Sequence, residues 1–398
     1  MPSTGRKAGR EPCRKNEARP LNPLLGKLQP YPFEKLRTLI AGNTPPASLA
    51  PINLQIGEPK HPTPTLVKDA LAKALDGLAA YPLTAGTPEL RQAIAAWLAR
   101  RYGIPTPNAE TEVLPVNGSR EALFAFAQTV LDPTRGAKVV CPNPFYQIYE
   151  GAALLAGATP FYGTPESWQG VQLVYACSPA NPSGKVMKLG DWRTLFELSD
   201  RHGFVIASDE CYSEIYCGEA PLGGLEAARK LGRSYERLVA FSSLSKRSNA
   251  PGMRSGFVAG DAALIKKFLL YRTYHGSAMS LAVQAASVAA WTDEKHVEDN
   301  RRLYRDKYAA VLPMVKPPLQ TEMPDGGFYL WMRTPIDDAD FARRLHGQYN
   351  VLVLPGSFLA RTTQAGNPGA NYVRVALVPP LAECVEAMQR IMQFASTL

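Results

Sequence analysis

The sequence predicts an α/β protein, with a large domain built on a mostly parallel sheet between helices and a smaller α+β domain. Three observations predict it. Between residues 113 and 260, short apolar runs alternate with helix-period segments, the pattern of strands covered on both faces by crossover helices. Polar residues of catalytic type fall just past the C-terminal ends of those runs, where open α/β sheets bind ligands. Beyond residue 300, short strand-like runs and a closing helix read as a second unit. A chain of 398 residues accommodates about two domains. It divides into a basic tail (1–20), an N-terminal arm (21–55), a large domain (56–285) and a small C-terminal domain (286–398).

Taken in order, residues 1–20 hold six basic and two acidic side chains and no apolar stretch, so they predict a disordered tail rather than a secretory signal. Phe33–Ile40 is helical in pattern, and Leu54–Ile56 reads as a short strand entering the turn Gly57-Glu58-Pro59. Thr65–Leu78 and Pro88–Tyr102 are helix-period, and the loop from Tyr81 between them closes on Pro88 at a helix start. The strands of the alternating region are expected at Val113–Val116, Lys138–Cys141, Leu173–Cys177, Phe204–Ser208, Leu238–Phe241 and Phe257–Ala259. Helices are expected from Ser119 to about Val130, around Ile148–Leu155 and near Asp191–Arg201. Long helices fill residues 261–315. Gly326–Trp331, Val351–Leu354 and Tyr372–Leu377 are short strands, closed by a helix near Leu381–Phe394.

Composition narrows the function classes. The net charge of +9 is concentrated in the tail and otherwise dispersed, with no basic stripe or nucleic-acid motif, so binding of nucleic acid is not expected. No apolar run reaches the ~18 residues of a membrane span. The six cysteines (Cys13, Cys141, Cys177, Cys211, Cys217 and Cys384) form no C-x-x-C pair and sit mostly in apolar runs, which fits a reduced, cytoplasmic compartment. Cys211 reads as a packing residue.

The stretch Ser242-Ser243-Leu244-Ser245-Lys246-Arg247, continuing to Arg254 and Gly256, carries the chemistry. A lysine among hydroxyls can form a Schiff base with an aldehyde cofactor, and hydroxyls with a guanidinium suit a phosphate. A solvated polar turn fits the isolated fragment equally well. Other features converge on the same sheet edge. Asn117-Gly118-Ser119-Arg120 is a strand-to-helix turn with exposed amides. Asp209 ends an apolar strand, an expensive place for a carboxylate without a cation. Arg374 lies inside an apolar strand, where it needs either a structural ion pair or an anionic ligand.

This constellation resembles the class I/II aminotransferases, which are fold-type I pyridoxal-phosphate enzymes, from Leu21 to the C-terminus. It is closer still to the succinyldiaminopimelate aminotransferases of bacterial lysine biosynthesis. The stretches that carry the closer likeness are Asn22–Leu25 with Gln29–Leu36, Cys141–Gly151, Ser208–Tyr216 and Leu269–Gly276. One departure is a shorter link between Gly157–Pro160 and Leu173–Cys177.

The resemblance implies pyridoxal 5'-phosphate as cofactor, amino-acid and 2-oxo-acid substrates (glutamate and 2-oxoglutarate), and a homodimer with a composite site to which the arm contributes. It implies Lys246 as the Schiff-base amine, Asp209 opposite the pyridine nitrogen, and Tyr212 and Asn181 on the ring oxygen. Tyr146 would stack on the ring, unless it is a core aromatic like Tyr149. Ser119, Arg120, Ser243, Ser245 and Arg254 would hold the phosphate, joined by Tyr81 from the neighbouring subunit. Arg374 and Gly57 would receive the substrate carboxylate, beside Asn181. His275 or Arg272 could read a succinyl arm, with helix-surface solvation as the alternative, and Arg247 is expected to be solvated. No metal is expected. The same machinery would also serve an acceptor such as aspartate, alanine or acylornithine, or a carbon–sulfur lyase.

Overall fold

A seven-stranded sheet organises the chain. The computed structural model describes residues 21–398, so the expected tail over residues 1–20 lies outside it. In spatial order the strands are Val113–Val116, Gly256–Gly260, Leu238–Ser243, Val205–Asp209, Val171–Cys177, Lys138–Cys141 and Thr159–Tyr162. All run parallel except Gly256–Gly260, which is antiparallel to both neighbours. Side chains alternate between the faces with the period of two that a strand imposes. Leu238, Ala240 and Ile206 join one core with Trp97 and Trp291, whereas Val239, Phe241 and Ala207 join the other with Phe126 and Phe268. Both faces are therefore buried, as near-continuous apolar strands require.

The small domain has its own core, which gathers Ile52 and Leu54 of the arm with Leu330, Phe341, Val373, Met388 and Phe394. It packs on a three-stranded antiparallel sheet ordered Leu354–Pro355, Tyr372–Ala376, Tyr329–Arg333. Ile52–Asn53 pairs in parallel with Val351–Leu352, so the arm's strand lies two residues earlier than expected. This pairing brings the turn at Gly57 close to the strand bearing Arg374.

Other differences have local causes. Thr159–Tyr162 is an edge strand, unexpected because it contains Pro160 and no fully buried side chain; proline is tolerated at an edge, where its missing N–H leaves no ladder bond unmade. Asp338–Tyr349 is a polar helix started by the Asp337 carboxylate, which accepts from the Asp340 amide at 2.9 Å. The segment Thr65–Leu78 is two pieces, a helix Thr65–Lys73 and a 3-10 turn Leu75–Ala79. Among the described residues, no helix is long and apolar enough to cross a membrane, and no cluster of three or more His, Cys, Asp or Glu could hold a metal.

Candidate active site

A cavity of about 620 Å³ opens at the C-terminal ends of the parallel strands, walled on its far side by Tyr329, Leu354, Leu359 and Arg374 of the small domain. Its lining includes Gly57, Ser119, Arg120, Tyr146, Asn181, Asp209, Tyr212, Ser243, Ser245, Lys246, Arg254 and Arg374. Residues spread over more than 300 positions of sequence meet there because many of them end a strand, begin a helix or lie in the loops that follow the strand ends at one edge. Tyr81 is the exception: its side chain is fully exposed, outside the cavity.

Lys246 sits in a single helical turn, Leu244–Arg247, that follows the strand Leu238–Ser243. Its Nζ donates to the Gly57 carbonyl and lies 5.4 Å from the centre of the Phe328 ring. Burial, assisted by the charges of Arg374 and Arg120, lowers its pKa to about 8. Roughly a tenth of the amine is therefore neutral at pH 7, against far less for an ordinary lysine. Gly57 has no room for a side chain: a Cβ there would fall on the Tyr329 hydroxyl.

Asp209 ends its strand fully enclosed. The Tyr149 hydroxyl donates to it at 2.6 Å and the Cys211 amide at 3.2 Å. No cation lies within ion-pair distance of it among the described residues, and burial raises its pKa. The neighbouring Cys211 thiol rests on the Ser119 hydroxyl at 2.9 Å. Tyr212 shares a hydroxyl–hydroxyl bond of 2.8 Å with Tyr329.

Helix Ser119–Val130 begins at Gly118, whose φ of 85° favours glycine and beside which the Arg254 guanidinium packs. First-turn amides, the dipole and Arg254 make this a strong anion position. Arg254 donates to the Pro251 carbonyl at 2.8 Å and has no acidic partner among the described residues. The Arg120 side chain instead reaches the Tyr146 hydroxyl at 2.7 Å, and the Tyr146 ring meets Tyr149 edge-on.

Arg374 resolves the choice between a structural ion pair and a free guanidinium. Nη1 donates to Asn181 Oδ1 at 2.9 Å and Nη2 to the Gln55 carbonyl at 2.7 Å, Nε is unpartnered, and no carboxylate pairs with it among the described residues. The Tyr329 ring lies 4.3 Å from its guanidinium carbon. It is a buried cation held by neutral groups.

Two expectations are corrected. Arg247 is not solvated: it is buried against Trp291 and Trp97, donating to the Ala290 carbonyl (2.6 Å) and Glu294 (2.7 Å). The helical turn that points Lys246 into the cavity turns Arg247 away from it. Arg272 is neither a solvated helix residue nor free to bind a ligand. It is fully buried, gripping both oxygens of Glu121 at 2.7 Å. His275 is half-exposed, with its ring 4.0 Å from Glu121.

Sequence reasoning missed Tyr149, Tyr329, Phe328 and Tyr31 as site residues. Tyr149 is recognisable only as an aromatic of the helix Ile148–Leu155, stacked on Tyr175 at 4.4 Å. Its donor role depends on a strand 60 residues away. Tyr31 and Phe33 line the cavity mouth from the N-terminal arm.

Comparisons with known proteins place the chain in a family. The aminotransferase class I and II family model matches residues 50–391. The crystal structure of an aminotransferase from Neisseria meningitidis Z2491 is 53% identical and covers 94% of this chain and 100% of its own, with a TM-score of 0.91. A probable N-succinyldiaminopimelate aminotransferase from Thermus thermophilus is 28% identical, with a TM-score of 0.80 over 91% of this chain and 98% of its own. The 4-dedimethylamino-4-oxo-anhydrotetracycline transaminase of Streptomyces rimosus is 37% identical over 82% of this chain and 88% of its own.

The family works with pyridoxal phosphate, and the residues present fit that group. A buried carboxylate lacking a cation suits a protonated ring nitrogen, a partly neutral lysine suits an aldehyde, and the helix start beside Arg254 suits a phosphate. With that fit, and with the family match extending over most of its length, the chain belongs to the class I and II aminotransferases and is a pyridoxal-phosphate-dependent transaminase.

Proposed function

We propose that the protein transfers the amino group between glutamate and N-succinyl-2-amino-6-ketopimelate by a ping-pong route, as an N-succinyl-LL-2,6-diaminopimelate:2-oxoglutarate aminotransferase. We further propose that it is a cytoplasmic homodimer. The observation that carries the transaminase chemistry is the convergence of Lys246, Asp209 and Arg374 on one cavity. The narrower substrate rests on likeness to the Thermus thermophilus protein and on the stretches Gln29–Leu36 and Cys141–Gly151.

Bound in the cavity, pyridoxal phosphate supplies an electron sink that acidifies the substrate Cα–H. Lys246 would hold the cofactor through its amine, and the same amine would move the proton at substrate Cα. Asp209, kept in place by Tyr149 and the Cys211 amide, would hold the pyridine nitrogen and favour its protonated form. Tyr212 and Asn181 would donate to the ring oxygen, and Tyr146 would stack on the ring. The amides of Ser119 and Arg120, the hydroxyls of Ser243 and Ser245, and Arg254 bind the phosphate. Arg374 grips the substrate carboxylate, and the backbone at Gly57 approaches the same group. Tyr81 completes the phosphate site of the partner subunit, and its exposed side chain is consistent with that role.

A panel of 2-oxo acids with glutamate as donor tests the assignment. Turnover should be highest with the succinylated acceptor. Equal or better turnover with the keto acids of aspartate, alanine or acylornithine would remove the narrow substrate and leave the transaminase. That broader reading is favoured by the Streptomyces relative, whose name specifies a tetracycline substrate. A glutamate pulse separates a carbon–sulfur lyase, which would leave the cofactor absorbance unchanged.

A further inference from the structure

Lys307 is a buried cation outside the cavity, its Nζ 4.9 Å from the centre of the Tyr304 ring. It projects from helix Lys295–Val311, is 2% exposed, and forms no ion pair among the described residues. Burying an ammonium without a carboxylate opposes folding, and an apolar residue of similar length would avoid that penalty. Among the described residues, Glu383 is the only carboxylate whose charge reaches it, and it does not form an ion pair.

The partners of Lys307 give it another use. Its Nζ donates to the Val378 carbonyl at 3.1 Å and lies 2.7 Å from His61 Nε2. His61 Nδ1 lies 2.9 Å from Asn300 Oδ1, which also accepts from Asn249. The Asn300 amide nitrogen in turn donates to the main-chain carbonyls of Lys246 (3.1 Å) and Arg247 (3.4 Å). These contacts admit one assignment of protons. Asn300 must present its nitrogen to the two carbonyls, so its oxygen faces His61 and Nδ1 must carry the hydrogen. Nε2 of the neutral ring is then the acceptor that Lys307 requires. Every bond along this path points the same way, from Lys307 toward the peptide of Lys246.

The path also joins three separate parts of the site. Val378 lies just beyond the strand Tyr372–Ala376 that holds Arg374. His61 lies in the segment just after the turn whose Gly57 carbonyl receives Lys246 Nζ, and Asn300 holds the turn on which Lys246 stands. We propose that Lys307 is a positioning residue, acting through His61 and Asn300 to hold the Lys246 turn and the Gly57 turn in register with the strand of Arg374. The inference rests on the reading of Lys246 as the reacting amine only for its functional meaning, because the mechanical link can be measured without the cofactor.

The test uses Lys307→Met, Asn300→Ala and the double variant of the full chain. In the cofactor-free protein, the pH midpoint for modification of Lys246 by an amine-selective reagent is followed by mass spectrometry. Loosening the turn admits water and should raise that midpoint by about half a unit or more, a roughly threefold loss of reactive amine at neutral pH. Because the two residues act in series, the double variant should shift no further than the larger single change. In the loaded enzyme, KM for glutamate should rise and kcat fall together. A changed melting temperature with an unaltered Lys246 midpoint in both single variants would overturn the proposal and leave a structural hydrogen bond. Additive shifts in the double variant would also overturn it. If Lys307→Met does not fold, Asn300→Ala alone decides by the same midpoint. Failure of Lys246 as the reacting amine would show separately, as turnover surviving in Lys246→Ala.

Discussion

The buried amine of Lys246 should make the cofactor-free protein less stable than a variant lacking it. In the folded chain its pKa is about 8, against 10.5 for an ordinary lysine. Between those values the unfolded chain binds more protons, so stability rises with pH across pH 8–10.5, and the cost is fully present below pH 8. A 2.5-unit difference corresponds to at most about 3 kcal/mol at pH 7, falling to about 1 kcal/mol by pH 9.5. Access of cavity water to Nζ makes about 2 kcal/mol the working figure at pH 7. Lys246→Met keeps the length of the side chain and removes the charge. Urea denaturation of both cofactor-free proteins at pH 7 and pH 9.5 should show the variant more stable at the lower pH, with the advantage shrinking at the higher. A variant that is no more stable at pH 7, or equally advantaged at both values, would refute the reasoning and attribute the effect to packing. Binding of the cofactor would reverse the order, because only the wild-type chain can hold it through Lys246.

Other outcomes follow from individual contacts. Arg374→Ala should lower kcat/KM for glutamate by about 100-fold or more, because a paired guanidinium–carboxylate contact contributes about 2–5 kcal/mol; a change under threefold in steady-state kinetics would remove it from carboxylate binding. Tyr149→Phe deletes a 2.6 Å bond to a buried carboxylate and should weaken cofactor retention about 10-fold, read by equilibrium dialysis. Gly57→Ala places a methyl group on the Tyr329 hydroxyl and should lower kcat while leaving the melting temperature within a few degrees. Mixing Tyr81→Phe with Lys246→Ala subunits should restore more activity than either variant shows alone, if the site is shared between subunits; no gain on mixing would assign a complete site to each chain.

Legibility in the sequence follows the kind of information each residue carries. Lys246, Asp209 and Arg374 can be found because a charged side chain in or beside an apolar strand demands an explanation. Their positions in or at the ends of strands then place them around one cavity. Tyr149 cannot be found in this way, since a helix aromatic that packs and one that also donates a hydrogen bond look identical in sequence. Arg247 and Arg272 escape for a related reason. Whether an arginine is buried depends on its carboxylate, and those carboxylates, Glu294 and Glu121, lie 47 and 151 positions away. The strand Thr159–Tyr162 is hidden by its proline, because edge strands are exempt from the rules that make central strands readable.

The single reversed strand, Gly256–Gly260, has a consequence for how the site can vary. Gly256 stands level with Val116 on one side and Ser243 on the other. The two flanking strands arrive at the cavity from below, roughly 10 Å apart across the intervening strand. The reversed strand departs from the same level, so the chain leading into it carries Arg254 down into the gap between them. Gly256 keeps that gap shallow, since a side chain there would strike the Ser242 carbonyl. The loop from Ser248 to Ser255 is thus calibrated in length as well as in composition. Adding or removing one residue would leave the sheet able to form but swing the guanidinium away from Gly118, so natural variation in loop length should be confined to the opposite rim.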